Sequence, residues 1–231
     1  MPKSIQKKVF LHQMNKRNYQ KELENIISNN EKQQKAPTLL LHSCCAPCSS
    51  YVLEYLTQYF NITVFYYNPN IYPAKEYDHR VEEIQRLITQ MPVLHKVSFI
   101  EGEFDTANYY AAVKGLEHEP EGGARCKVCF DLRLERAAQT AREISADYFT
   151  TTLTISPLKN ASLLNEIGEA MGEKYGVTFL PSDFKKKGGY LRSIELSRIY
   201  DLYRQNYCGC VFSQNQGKKD KTESVETTEN A

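Results

Sequence analysis

A chain of 231 residues, 41% hydrophobic and 25% charged, suffices for one globular core or one core with appendages. Its formal net charge of +1 gives no global attraction to nucleic acid, so any basic surface must be local. There is no run of about 18 apolar residues, and Met1 to Lys8 lacks a signal-type apolar segment, so a cytoplasmic location without a membrane partner is expected.

Residues 1–36 carry eight Lys/Arg against three Glu, a net +5, and read as a basic N-terminal extension. Within it, Asn15 to Ile27 places Tyr19, Leu23, Ile26 and Ile27 on one helical face. Thr38 to Leu41 reads as the first strand. It runs directly into His42-Ser43-Cys44-Cys45-Ala46-Pro47-Cys48, with three of the seven cysteines inside five residues. Pro is favoured at the first helical position, so a helix is expected from Pro47 to Tyr59. Cys44 and Cys45 then lie in a strand-to-helix turn, where the unpaired N–H groups and the helix dipole favour thiolates.

Ile62 to Tyr67, β-branched and aromatic, reads as the second strand. Two prolines make Asn68 to Pro73 a loop. A helix from Lys75 to Gln90, a strand near Lys96 to Ile100 and a short helix from Thr106 to Lys114 follow. A helix beginning around Arg125-Cys126-Lys127-Val128-Cys129 continues to Ile144 with apolar positions at helical spacing. Tyr148 to Leu153 is the fourth predicted strand, Ser162 to Lys174 a helix ended near Gly176, and Val177 to Leu180 a short fifth strand. This alternation implies a parallel, doubly wound α/β sheet, whose ligands bind beyond the carboxyl ends of the strands. The cysteine turn lies at that edge.

Residues 185–204 are basic, with six Lys/Arg against Glu195 and Asp201, and Tyr190, Tyr200 and Tyr203 are interspersed. Lys186, Tyr190 and Arg192 are candidate contacts for an RNA backbone and its bases. The chain then reaches Cys208-Gly209-Cys210, and residues 214–231 read as a disordered tail. Residues 37–213 form the expected single domain.

In a cytoplasmic chain an odd number of clustered cysteines points to metal or redox chemistry. Paired thiolates at Cys-x-x-Cys spacing select zinc or an iron–sulfur cluster. The pairs here are about eighty residues apart, unlike the compact knuckles of zinc ribbons, which favours a cluster seated on a larger fold. Cys208 and Cys210, one residue apart, could close a strained, reducible disulfide or bind a second metal.

Taken together, His42 to Ser49, Arg125 to Leu134, Phe149 to Leu153 with Ile155-Ser156-Pro157, and Leu202 to Ser213 resemble the cobalamin-independent epoxyqueuosine reductase family, QueH, in the same order. The resemblance spans residues 37 to 213. It implies the Rossmann-like HUP three-layer sandwich and reduction of epoxyqueuosine to queuosine at the tRNA wobble position, the last step of queuosine synthesis. It further implies a [4Fe-4S] cluster on Cys44, Cys45, Cys126 and Cys129 and a redox-active Cys208/Cys210 pair. A second, mononuclear iron is possible, for which Cys48 is a candidate ligand, and neither cobalamin nor ATP is used. Removing an epoxide oxygen as water takes two electrons and two protons. An electron donor such as ferredoxin or flavodoxin is therefore expected, and Asp131 and Asp183 are candidate proton donors or ligands. Three other readings compete: a PP-loop tRNA sulfur-transferase, a zinc module and a thiol oxidoreductase. The first requires a Ser-Gly-Gly-x-Asp-Ser loop after the first strand, where this chain has cysteines.

Overall fold

A computed structural model describes residues 17–214. Five parallel strands, β1 (Thr38–His42), β2 (Asn61–Tyr66), β3 (Val97–Glu101), β4 (Tyr148–Thr151) and β5 (Thr178–Phe179), form one sheet in the order β3-β2-β1-β4-β5. The helices are α1 (Tyr19–Lys32), α2 (Ala46–Leu56), α3 (Ala74–Gln90), α4 (Thr106–Ala112), α5 (Ala124–Glu143), α6 (Ala161–Tyr175) and α7 (Gly189–Ile199).

The apolar run of β1 is buried on both faces, as the centre of a parallel sheet requires. Leu39 and Leu41 point to one side, into a core with Val52 and Leu53 of α2, Ile84 and Leu87 of α3, and Leu23 and Ile27 of α1. Leu40 points to the other side, against Phe65, Phe149 and Phe179, where the small Ala137, Ala138 and Ala141 of α5 pack on the sheet. Helices on both faces make the fold a three-layer, Rossmann-like α/β sandwich. Residues 19–32, part of the basic extension in the sequence reading, thus share the core of the sheet. Residues 1–16 of that extension and residues 215–231 of the tail lie outside the described residues.

The chain winds from β1 through β2 to β3 in one direction and from β4 to β5 in the other. The loops leaving β1 and β4 therefore diverge at the sheet's carboxyl edge and open a crevice between them. The loop after β1 carries Cys44, Cys45 and Cys48.

The sequence expectation and the structure differ at β4, at the end of α2, which stops at Leu56 rather than Tyr59, and at α7 (Gly189–Ile199), for which the sequence expectation has no counterpart. The predicted strand Tyr148 to Leu153 stops at Thr151 and becomes a 3₁₀ turn, Thr152–Ile155. Thr151 Oγ1 accepts from Leu153 N–H at 3.2 Å, and Thr154 Oγ1 meets Ser182 Oγ at 3.0 Å. These local hydroxyl bonds compete with the ladder and turn the chain. Helix α4 likewise ends at Ala112, two residues before its predicted end.

Candidate active site

The sulfurs of Cys44, Cys45 and Cys48 all lie within 4.8 Å of one another, those of Cys44 and Cys45 at 3.9 Å. Cys45 is the residue before α2, with extended backbone, and Pro47 sits in the first helical turn. The predicted turn therefore forms, and it gathers three thiols where the unpaired amides of a helix N-terminus face them.

The turn is fastened on three sides. Cys44 N–H donates to Thr152 Oγ1 at 3.2 Å, and that hydroxyl donates to Cys44 Sγ at 3.4 Å. Ser43 Oγ meets Ser49 Oγ at 2.7 Å, and Asn68 Nδ2 donates to the Ser43 carbonyl at 2.9 Å. His42 is fully buried, with Nδ1 2.9 Å from Thr151 Oγ1 and Nε2 3.1 Å from the Tyr67 carbonyl. A carbonyl only accepts, so the proton is on Nε2 and Thr151 donates to Nδ1. Burial, then the nearby Arg133 charge, pushes the His42 pKa down to about 3. His42 is thus a neutral bolt joining the ends of β1, β2 and β4.

The three thiols are unequal. Hydrogen bonds from Cys45 and Cys48, aided by Arg133 and Lys159, hold Cys44 well below the usual thiol range. The bond to Cys44 drives Cys45 up to about 12, and bonds to Cys44 and Cys45 push Cys48 well up. In reduced, metal-free protein Cys44 is therefore expected to alkylate with iodoacetamide faster than its two neighbours at neutral pH. Its rate should rise less steeply with pH than theirs, because its thiol is held down and theirs are held up. Peptide mass spectrometry over a pH series reads this, and equal rates at all three would refute it.

The cysteine turn floors a cavity of about 350 Å³. Its walls include Arg80, Arg133, Lys159, Arg204, Tyr190, Tyr207 and Cys208. Arg80 is buried, ion-paired with Glu76 at 2.7 Å, and lies over the Tyr207 ring at 5.4 Å. Cys208 raises the pKa of Lys159 most, ahead of Cys44 and Cys48, so this ammonium keeps its proton.

Cys126 and Cys129 are in the first two turns of α5, the Cys126 thiol accepting from Gly122 N–H at 3.2 Å. Burial raises Cys126 and drives Cys129 up to about 12. Cys44 and Cys126 pack against one cluster around Phe130 and Leu153, whereas Cys129 and Cys210 pack with Tyr109 and Val113. Of the two alternatives open for Cys208 and Cys210, a disulfide is not present, and all seven cysteines are free. Gly209, at φ +114°, turns the chain so that Cys208 lines the cavity while Cys210 sits in the Tyr109 cluster. Ser213 braces both, its Oγ accepting from Cys208 N–H at 3.2 Å and its N–H donating to Cys210 Sγ at 3.4 Å.

Of the other sequence candidates, Tyr190 lines the cavity. Lys186 and Asp183 instead line a neighbouring cavity that shares Lys159, and Asp183 pairs with Lys185 at 2.7 Å. Asp131 pairs with Lys127 at 2.8 Å and is not in the cavity wall. Arg192 grips Glu54 at 2.6 and 3.0 Å and Glu195 at 3.0 Å. The sequence reading missed Arg80, Arg133, Lys159 and Thr152. Arg133 had a signal, since it stands four residues after Cys129 and seven after Cys126 on one helix face. Arg80 had none, being brought in by the packing of α3.

A family model described as Epoxyqueuosine reductase QueH matches residues 39–216. A protein of that name from Streptococcus pyogenes serotype M1 is 46% identical over 198 residues, covering 85% of this chain and 78% of its own. One from Staphylococcus epidermidis is 48% identical over 200 residues, covering 85% and 84%. One from Thermotoga maritima is 41% identical over 182 residues, covering 76% and 90%.

Proposed function

The chain belongs to the epoxyqueuosine reductase QueH family, and from that premise we propose that it reduces epoxyqueuosine to queuosine at the wobble position of tRNA, with an iron–sulfur cluster seated at the cysteine turn. The observation that carries this reading is the gathering of soft donors on the floor of a cation-walled cavity at the sheet's switch point: Cys44 and Cys45 for the cluster, and Cys48, its sulfur within 4.8 Å of both, for an iron beside it.

The donor set suits such a group. Soft thiolates select iron–sulfur or zinc, and an anionic thiolate centre is offset here by Arg80, Arg133 and Lys159. Cys44, Cys45, Cys126 and Cys129 would hold the cluster, and Cys48 a further iron. When bound, the cluster supplies electrons one at a time. The protein's own residues bind, orient and protonate. Tyr190 offers a ring in the cavity wall for stacking, and Lys186, next to that cavity, offers a phosphate contact. Arg192 is committed to its two glutamates, which leaves substrate contact to the other two. Lys159, kept protonated in the wall, is placed to give a proton to the departing epoxide oxygen, and the Cys208 thiol borders the same space. Among the described residues no helix is long and apolar enough to cross a membrane, in keeping with a cytoplasmic enzyme fed by ferredoxin or flavodoxin. The β3-β2-β1-β4-β5 order supports assignment to the HUP class.

Anaerobic purification with iron, sulfide and zinc analysis tests the reading, followed by an assay on tRNA carrying epoxyqueuosine. A brown protein with about four sulfides per chain, more iron than sulfide and dithionite bleaching is expected. A colourless, zinc-loaded protein without sulfide after reconstitution, inactive on that tRNA, would end it.

A further inference from the structure

We infer that Arg133 is a positioning residue for the thiolate centre: its buried guanidinium acts as the fixed counter-ion that retains the centre and tunes its reduction potential. The inference rests on the iron–sulfur reading above.

Arg133 is 1% exposed, and a guanidinium does not shed its proton to escape burial. Such a charge needs a partner. Arg80, the other buried arginine of the cavity, has Glu76. Among the described residues Arg133 has no carboxylate partner. Its Nη2 donates to Asn68 Oδ1, while Nε and Nη1, both buried, find no oxygen acceptor among the described residues. The one carboxylate of the cavity wall, Glu121, accepts from Ser213 Oγ at 2.8 Å. What faces the guanidinium is sulfur, from Cys129, Cys44 and Cys208. Lacking a carboxylate and an oxygen acceptor for these donors, the guanidinium is matched by negative charge on these cysteines.

The bracing is specific as well. Asn68, which accepts from Arg133, also donates to the Ser43 carbonyl, the peptide oxygen just before Cys44. One side chain thus ties helix α5, the loop after β2 and the cysteine turn. A fixed cation stabilises the reduced, more negative state of a thiolate cluster more than the oxidised state, so its removal should lower the midpoint and loosen the cluster.

The test compares wild type, R133M and R133K after anaerobic reconstitution. Iron and sulfide per chain are measured, together with the midpoint from redox-poised electron paramagnetic resonance. R133M is expected to load less cluster and to move its midpoint to a more negative value by a tenfold or larger change in the one-electron equilibrium, about 59 mV. R133K, which restores the charge, should return most of the midpoint. R133Q replaces R133M if circular dichroism shows that the methionine variant does not fold. A loaded neutral variant with the wild-type midpoint would overturn the inference, as would an R133K midpoint shifted as far as that of R133M. A wild type that takes up no cluster would instead overturn the iron–sulfur reading beneath it.

Discussion

Replacing Cys44 or Cys45 by Ser is expected to abolish iron and sulfide loading and to reduce epoxyqueuosine turnover to background. Loss of an outer-shell partner typically costs a metal site about 10- to 100-fold, and loss of a ligand should exceed that. Serine keeps the shape of the turn but removes the soft, anionic donor. Cys48 separates two arrangements. Its sulfur shares the 4.8 Å triad, a spacing near the ~3.8 Å edge expected for thiolates on one tetrahedral ion with bonds of about 2.3 Å. If Cys48 serves a separate iron, C48S should keep four sulfides and lose only the iron in excess of them. If C48S loses sulfide as fully as C44S, and C126S does not, the triad itself holds the cluster. Iron and sulfide analysis of the four variants decides between these outcomes.

The second large effect concerns the wall behind the site. Replacing Arg125 by Met is expected to lower stability by about 3 kcal/mol, or about 6–12 °C in Tm for a chain of this size. Arg125 is 1% exposed. Its Nη1 donates to the carbonyls of Leu116, Glu117 and Glu119 at 3.3, 2.9 and 2.5 Å, and its guanidinium lies 4.7 Å over the Phe212 ring. Methionine fills part of the volume but leaves those carbonyls without their donor and releases the segment that carries Cys208 and Cys210. A melt within 2 °C of wild type would show that the loop satisfies itself some other way. Cluster retention should fall along with stability, since Cys126 is the next residue. A variant that melts early yet holds its full complement of iron would separate the two roles.

Chain order, layer assignment and the cysteine turn were legible from residue pattern alone. β1 declares itself by three consecutive leucines, Leu39 to Leu41, fit for burial on two faces, and Pro47 marks the helix start that turns Cys44 and Cys45 towards one point. The close of β4 was not legible. Thr150 to Thr154 has the β-branched composition of a strand, and only hydroxyl partners from distant segments, such as Ser182, make it turn. Asp131 and Arg192 show the limit at the site. Both are the right residue types near the right motifs, but whether a charged group faces a cavity or a neighbouring side chain depends on helix rotation and on the partners packed against it.

By itself the sequence determined the order of the strands and of most helices, that the sheet is parallel and doubly wound, and that Cys44 and Cys45 converge at one strand-to-helix turn. These follow from local spacing, since periodicity, proline and short-range cysteine placement act within a few residues. That Cys48 joins them, and that residues 189–199 form helix α7, came from the structure. The tertiary structure alone decided which cations wall the cavity, that Cys208 faces it while Cys210 is buried with Tyr109, and that Arg133 of α5 lines the cavity beside the cysteine turn with no carboxylate partner among the described residues. Those are long-range facts. They depend on how α3, α5 and the segment after α7 pack over the sheet's edge, and no local pattern encodes the distance between residues 44, 133 and 208.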